Sequence, residues 1–112
     1  MIAAKELLPQ LTPEEYFVWE ARQLENYEYV DGQVYAMGGG SINHGRIAIQ
    51  FVMLLGTHLD NTGCIMGNSD IKVNIPETNN YTYPDISVTC DERDKANTQY
   101  VAYPCLIVEV FS

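Results

Sequence analysis

Positive charge is scarce in this sequence: 6 lysines and arginines stand against 15 aspartates and glutamates, a formal net charge of −9. A chain of that balance does not coat nucleic acid through bulk attraction to phosphate, but its surplus of carboxylates suits a site for a hard divalent cation. Cysteine is scarce too. Cys64, Cys90 and Cys105 are odd in number and lack CxxC spacing, so they read as buried thiols of a reducing compartment, not a disulfide framework. No apolar run approaches the ~20 residues of a membrane-spanning helix, and Met1–Glu6 lack the basic-then-apolar order of a signal peptide. The expected location is the cytoplasm, with no membrane partner. Neither G-x-S-x-G nor a phosphate-binding glycine loop is present, which removes the common serine-hydrolase and nucleotide-binding classes.

What is present fits one small domain: 112 residues, 46% hydrophobic and 19% charged, enough apolar surface to fold. Thr12-Pro13-Glu14-Glu15 carries an N-cap, a first-turn proline and a capping box, predicting a helix from residue 12 to about 25. Tyr16, Val18 and Trp19 recur near helical spacing, which leaves Glu14, Glu20 and Arg22 available for solvent. Two β-favouring runs around Asp31-Gly32 predict a hairpin. Gly38-Gly39-Gly40 leads to a second helix capped by Ser41 and ending near Asn61 or Gly63, with Ile47, Phe51, Leu54, Leu55 and Leu59 as its apolar stripe. Cys64 to Ile75 reads as β, bulged around Gly67-Asn68, with Asp70, Lys72 and Asn74 on one face and Ile71, Val73 and Ile75 on the other. Asp85–Cys90 is a further strand, Asp91–Lys95 a charged exposed connection, and Leu106-Ile107-Val108-Glu109-Val110-Phe111 an apolar run expected as a central strand covered on both faces. The whole is an α/β (α+β) plan, and the sequence reads as though it stops mid-fold.

Glu109 is the sharpest chemical signal. A carboxylate inside an apolar strand has to be protonated, paired or bound to a cation, unless it simply reaches water at the strand end. Asp85 opens the preceding strand after Pro84, where an Asp commonly closes a turn. If the two strands are neighbours, their carboxylates repel unless a divalent ion lies between them. His44, near the start of the second helix, either touches phosphate, orients an active-site carboxylate, or is only a helix-terminal histidine. His58 near the helix end is accounted for by the helix dipole.

The segments Leu11-Thr12-Pro13-Glu14-Glu15-Tyr16, Tyr27-Glu28-Tyr29-Val30-Asp31-Gly32-Gln33-Val34-Tyr35, Tyr83-Pro84-Asp85 and Leu106-Ile107-Val108-Glu109-Val110-Phe111-Ser112 resemble, in that order, the Uma-two family of restriction-endonuclease-like proteins. The resemblance implies a PD-(D/E)XK nuclease fold, a mixed central sheet flanked by helices. It implies Mg²⁺- or Mn²⁺-dependent hydrolysis of DNA, the cation generating a nucleophilic water and stabilising charge on phosphate oxygens. By position, Asp85 and Glu109 are the implied metal ligands and Glu28 completes the acidic cluster. The lysine expected two residues after the glutamate is absent, since Phe111 stands there. Lys72 is the remaining strand-borne lysine to take its catalytic place, against the plainer reading of a solvated edge-strand lysine. Members of the family also continue beyond this segment, so the chain is expected to be a single incomplete domain, residues 1–112, lacking the C-terminal helix and strand and associating with itself as a dimer. Two other readings stand beside the nuclease: a catalytically inactive remnant kept as a self-associating or binding domain, and a small hydrolase using the same metal site on a non-nucleic substrate.

Overall fold

A computed structural model describes residues 8–111. Met1–Glu6 and Ser112, both used in the sequence reading, lie outside the described residues. Helix α1 spans Pro13–Glu20, and both halves of its capping box form: Thr12 Oγ1 accepts the Glu15 amide at 3.2 Å and Glu15 Oε1 accepts the Thr12 amide at 2.8 Å. The helix is shorter than predicted, giving way to turns after Glu20. Strands β1 (Tyr27–Val30) and β2 (Gln33–Ala36) make the hairpin, with Val30 opposite Gln33. Asp31 and Gly32 adopt φ of 50° and 85°, the left-handed pair that a two-residue turn matching the strand twist demands.

Helix α2 spans Ile42–Leu59 with Ser41 as N-cap, its Oγ accepting the His44 amide at 3.0 Å. Five short elements follow: β3 (Ile65–Gly67), β4 (Val73–Asn74), β5 (Tyr81–Thr82), β6 (Ile86–Thr89) and the one-turn helix α3 (Glu92–Lys95), before β7 (Leu106–Val108). The strands form two antiparallel sheets, ordered β2-β1-β5-β4 and β3-β6-β7, and an isolated parallel bridge joins Val73 of β4 to Val101, in the segment between α3 and β7. The α+β character matches the expectation. The strand pairs within the two sheets are antiparallel, in place of one mixed central sheet.

The first sheet is closed by tyrosine. Tyr16, Tyr29, Val34 and Tyr81 form the buried cluster, with Tyr16 stacked on Tyr29 at 4.8 Å between ring centroids and Phe17 edge-on to Tyr81 at 5.0 Å. Each buried hydroxyl needs an acceptor. Tyr29 donates to the Leu11 carbonyl at 2.5 Å and Tyr16 to the Tyr27 carbonyl at 2.6 Å, so the core ties α1 to the hairpin by polar as well as apolar contacts. In the second sheet β6 is buried along its length.

Among the described residues the apolar run lies at a sheet edge: β7 pairs with β6 on one side, and Leu106, Ile107 and Phe111 are exposed. Helix α2 turns the stripe His44, Ala48, Val52, Leu55 and Leu59 towards the body, while Ile47, Phe51 and Leu54 are exposed. The opposite side of the helix carries the exposed polar residues Asn43, Arg46, Gln50 and Thr57, and the apolar Ile47, Phe51 and Leu54 at the margins draw the expected stripe off to one side of the true one. Asp91–Lys95 is not a wholly exposed connection, because it forms α3, and Asp94 is buried and accepts the Ala102 and Tyr103 amides at 2.8 and 3.0 Å. Lys72 and Val73 are buried together and Ile71 is exposed, so the expected alternation fails where the chain leaves β3 and crosses to the other sheet.

Cysteine also departs from the expectation. Ile65 lies opposite Thr89 in the β3–β6 register, which sets Cys64 beside Cys90, and the two form a disulfide with Cα atoms 4.2 Å apart. Cys105 keeps a free, exposed thiol, its Sγ 3.7 Å from that of Cys90. Spacing along the chain carries no register, so the pair was invisible to it.

Candidate functional site

The β6–β7 register brings the two singled-out carboxylates together. Ile86 pairs with Val108, and one step further along the antiparallel ladder Asp85 stands opposite Glu109. Each carboxylate accepts an amide of the other strand: Asp85 N–H donates to Glu109 Oε1 at 3.0 Å, and Val110 N–H donates to Asp85 Oδ2 at 2.7 Å. These bonds extend the ladder beyond the last regular backbone pair. They also fix one oxygen of each carboxylate, and leave Asp85 Oδ1 and Glu109 Oε2 without a hydrogen-bond partner among the described residues.

A third side chain reaches the pair. His44 Nε2 lies 3.0 Å from Asp85 Oδ2. An ionised carboxylate only accepts, so the ring donates through Nε2. His44 is the first residue of the body-facing stripe of α2, in the helix's opening turn. Gly38, Gly39, Gly40, His44 and Asp85 together line a cleft of about 450 Å³ that runs on to Asp70, and a second of about 360 Å³ that runs on to Val110. The glycine run is the wall of this cleft.

Glu28 and Lys72 lie elsewhere. Glu28 is in the first sheet, where its Oε2 accepts the Thr82 hydroxyl, and it lines neither cleft at Asp85. Lys72 is not the solvated edge lysine of the plainer reading. Its Nζ is 2.6 Å from Glu20 Oε1, with both side chains more than nine-tenths buried, and it lies over the Phe17 ring at 4.1 Å to the centroid. It lines a cavity of about 580 Å³ shared with Glu20, Tyr83 and Ser87.

Glu20, assigned to solvent on sequence, is the hub of that cluster. Beyond Lys72, its Oε2 accepts Tyr83 Oη at 2.8 Å and the Tyr27 amide at 2.9 Å. Burial, and then the neighbouring Glu20 carboxylate, push the Tyr16 hydroxyl far above the usual tyrosine range. The Tyr83 hydroxyl is raised by burial and by its hydrogen bond to Glu20. The signal that pointed inward was placement: Glu20 closes α1 four residues after buried Tyr16, on the same helix face.

The donor set at Asp85 suits one kind of cation. Among the described residues no three His, Cys, Asp or Glu side chains converge as a metal cluster, so a closed, fully protein-ligated centre of the structural zinc kind does not form. Mg²⁺ is commonly held by one or two carboxylates, with water and substrate phosphates completing its shell. The two unengaged oxygens of Asp85 and Glu109 fit that pattern, and Glu109 is exposed, where a hydrated ion can reach it.

Among the described residues no helix is long and apolar enough to cross a membrane. The fold resembles the crystal structure of a putative nuclease belonging to DUF820 from Anabaena variabilis ATCC 29413, with a TM-score of 0.70 and 17% identity over 91% of this chain and 59% of that one. Two Synechocystis sp. (strain ATCC 27184 / PCC 6803 / Kazusa) proteins are similar in sequence. Uncharacterized protein slr1290 is 58% identical over 104 residues, 93% of this chain and 55% of that protein. Uncharacterized protein sll1609 is 31% identical over 104 residues, 91% of this chain and 59% of that protein. The chain thus spans little more than half the length of these relatives. The family model for Uma2, described as "Putative restriction endonuclease", matches residues 13–112, and the chain belongs to that family.

Proposed function

We propose that this chain carries a metal-dependent nuclease site in which Asp85 and Glu109 hold a Mg²⁺ or Mn²⁺ ion and the substrate is DNA. The carrying observation is the reciprocal pairing of the two carboxylates across β6 and β7, which fixes one oxygen of each and leaves the other without a hydrogen-bond partner among the described residues. Such a cation supplies an activated water and neutralises charge on a phosphate. The chain's own residues orient the two ligands through backbone amides and wall the cleft with the Gly38–Gly40 run. The acidic balance of −9 makes that cation the means of approach to a phosphate, since the protein's own charge repels one. The reading centres on Asp85 and Glu109. Glu28 is bonded to Thr82 and Lys72 to Glu20, so their parts as a third acid and an electrophilic partner require those bonds to be exchanged.

Relaxation of supercoiled plasmid with Mg²⁺ or Mn²⁺, repeated with Asp85→Asn and Glu109→Gln, tests the proposal. Cleavage by the wild type and its loss in both variants support it. Cleavage that survives both substitutions sinks the site assignment, and metal binding without cleavage favours a non-nucleic substrate.

Self-association is a second reading, favoured by the outward faces of α2 and β7. Ile42, Ile49, Met53 and Leu54 are 83, 62, 67 and 72% exposed, an apolar extent that marks interaction surfaces. A second copy of the chain is the proposed occupant. Sedimentation equilibrium showing a monomer at every concentration contradicts it, and dimerisation weakened by Leu54→Asp supports it.

A further inference from the structure

We infer that His44 is a positioning residue for Asp85, set in place by the absence of a side chain at Gly40; this rests on the metal-site reading above and adds a member to it. The geometry is specific at both ends of the ring. At Nε2, His44 donates to Asp85 Oδ2 at 3.0 Å, the same oxygen that accepts the Val110 amide at 2.7 Å. Two donors on one oxygen fix the rotation of the carboxylate, so that Oδ1 is the oxygen presented to the cleft. At the other end, a Cβ placed on Gly40 falls 2.5 Å from Nδ1 and 2.8 Å from Cγ of the ring, far inside van der Waals contact.

No side chain fits at residue 40 while the ring stays where it is. Gly38 and Gly39 face open space at the corresponding positions, so the requirement belongs to Gly40 within the glycine run. The backbone supports the same placement. Ser41 caps α2 by accepting the His44 amide at 3.0 Å, and His44 leads the body-facing stripe continued by Ala48, Val52, Leu55 and Leu59. The helix start, the glycine gap and the strand-end aspartate therefore converge on one hydrogen bond. Partners that orient a ligand without touching the metal commonly change metal affinity 10–100-fold when removed.

The test has two arms on the full chain. In metal-free protein, the His44 ring is followed by ¹H–¹⁵N NMR. The expected result is an Nε2 proton protected from exchange in the wild type and lost in both Asp85→Ala and Gly40→Ala, with each variant still melting cooperatively. In the second arm, Mn²⁺ alone is titrated by calorimetry: His44→Ala and Gly40→Ala bind about 10–100-fold more weakly, and His44→Gln, whose amide restores a donor near Nε2, recovers most of the loss. A ring signal unchanged by Asp85→Ala or by Gly40→Ala overturns the inference, as does undiminished Mn²⁺ affinity in His44→Ala. A wild type that binds no Mn²⁺ overturns the metal reading instead, and the ring signal then decides the His44–Asp85 contact by itself.

Discussion

Asp85 and Glu109 each accept a backbone amide from the other's strand, at 2.7 Å from Val110 and 3.0 Å from Asp85. The side chains are thus ladder rungs as well as candidate ligands, and substitutions separate the two roles. Asp85→Asn keeps an oxygen for the Val110 amide but removes the charge. It is expected to melt near the wild type while binding Mn²⁺ more weakly, since it removes one of the two negative charges that face the cation. Asp85→Ala removes the acceptor too and is expected to lose ~1.5–3 kcal/mol of stability, the range for hydrogen bonds to charged groups. Urea denaturation and Mn²⁺ calorimetry on both variants check this, and equal stability losses contradict the division.

The buried Glu20–Lys72 pair calls for a different experiment. Breaking a buried pair from one side strands an uncompensated charge, at a cost of ~3–5 kcal/mol. Glu20 here also accepts Tyr83 and the Tyr27 amide, so Lys72→Met leaves it partly satisfied and is expected at the lower end. Glu20→Gln/Lys72→Met together are expected to be more stable than Lys72→Met alone. Urea midpoints in a double-mutant cycle measure the coupling, and additive losses contradict it.

These two sites differ in how far the sequence disclosed them. The capping box at Thr12, the Asp31-Gly32 turn and the Ser41 cap were legible because each is decided by a few consecutive residues. Asp85 and Glu109 were legible as a pair because their strands follow one another and an acid within an apolar run is conspicuous. What decided the rest is register and orientation. The outward side of α2 is marked by Asn43, Arg46, Gln50 and Thr57. Ile47, Phe51 and Leu54 at its margins are nonetheless at least as apolar as the inward Ala48, Val52 and Leu55, which blurs the choice of the body-facing stripe. That choice is what turns His44 towards Asp85. Glu20 was assigned to solvent because its partners Lys72 and Tyr83 are more than fifty residues away in sequence.

The Cys64–Cys90 disulfide closes a loop with a sequence separation of 26. In the chain-entropy account a cross-link of that span stabilises by about 3 kcal/mol. Cys64→Ser is expected to lower the urea midpoint, and a reductant is expected to lower the wild type towards it while leaving Cys64→Ser unmoved. Thiol labelling of the folded, unreduced chain is expected to modify Cys105 alone. Three reactive thiols in the absence of reductant contradict the pairing.

The tyrosine core makes stability fall at high pH. Tyr16 and Tyr83 have hydroxyl pKa values raised above the ordinary 10, chiefly by burial and then by Glu20; burial likewise raises Tyr29 and Tyr81. Below pH 10 both folded and unfolded chains keep these protons, and the contribution is fully present. Above it the unfolded chain releases protons that the folded chain retains, so unfolding gains with each further rise in pH. Urea midpoints are expected to hold level up to about pH 9 and to decline steadily beyond pH 10. Phenolate absorbance is expected to show a class of tyrosines that ionises only as the chain unfolds. The Tyr16→Phe variant removes one such group, and also the bond to the Tyr27 carbonyl, so it is expected to be less stable at neutral pH with a shallower alkaline decline. A decline as steep as that of the wild type contradicts the assignment to Tyr16.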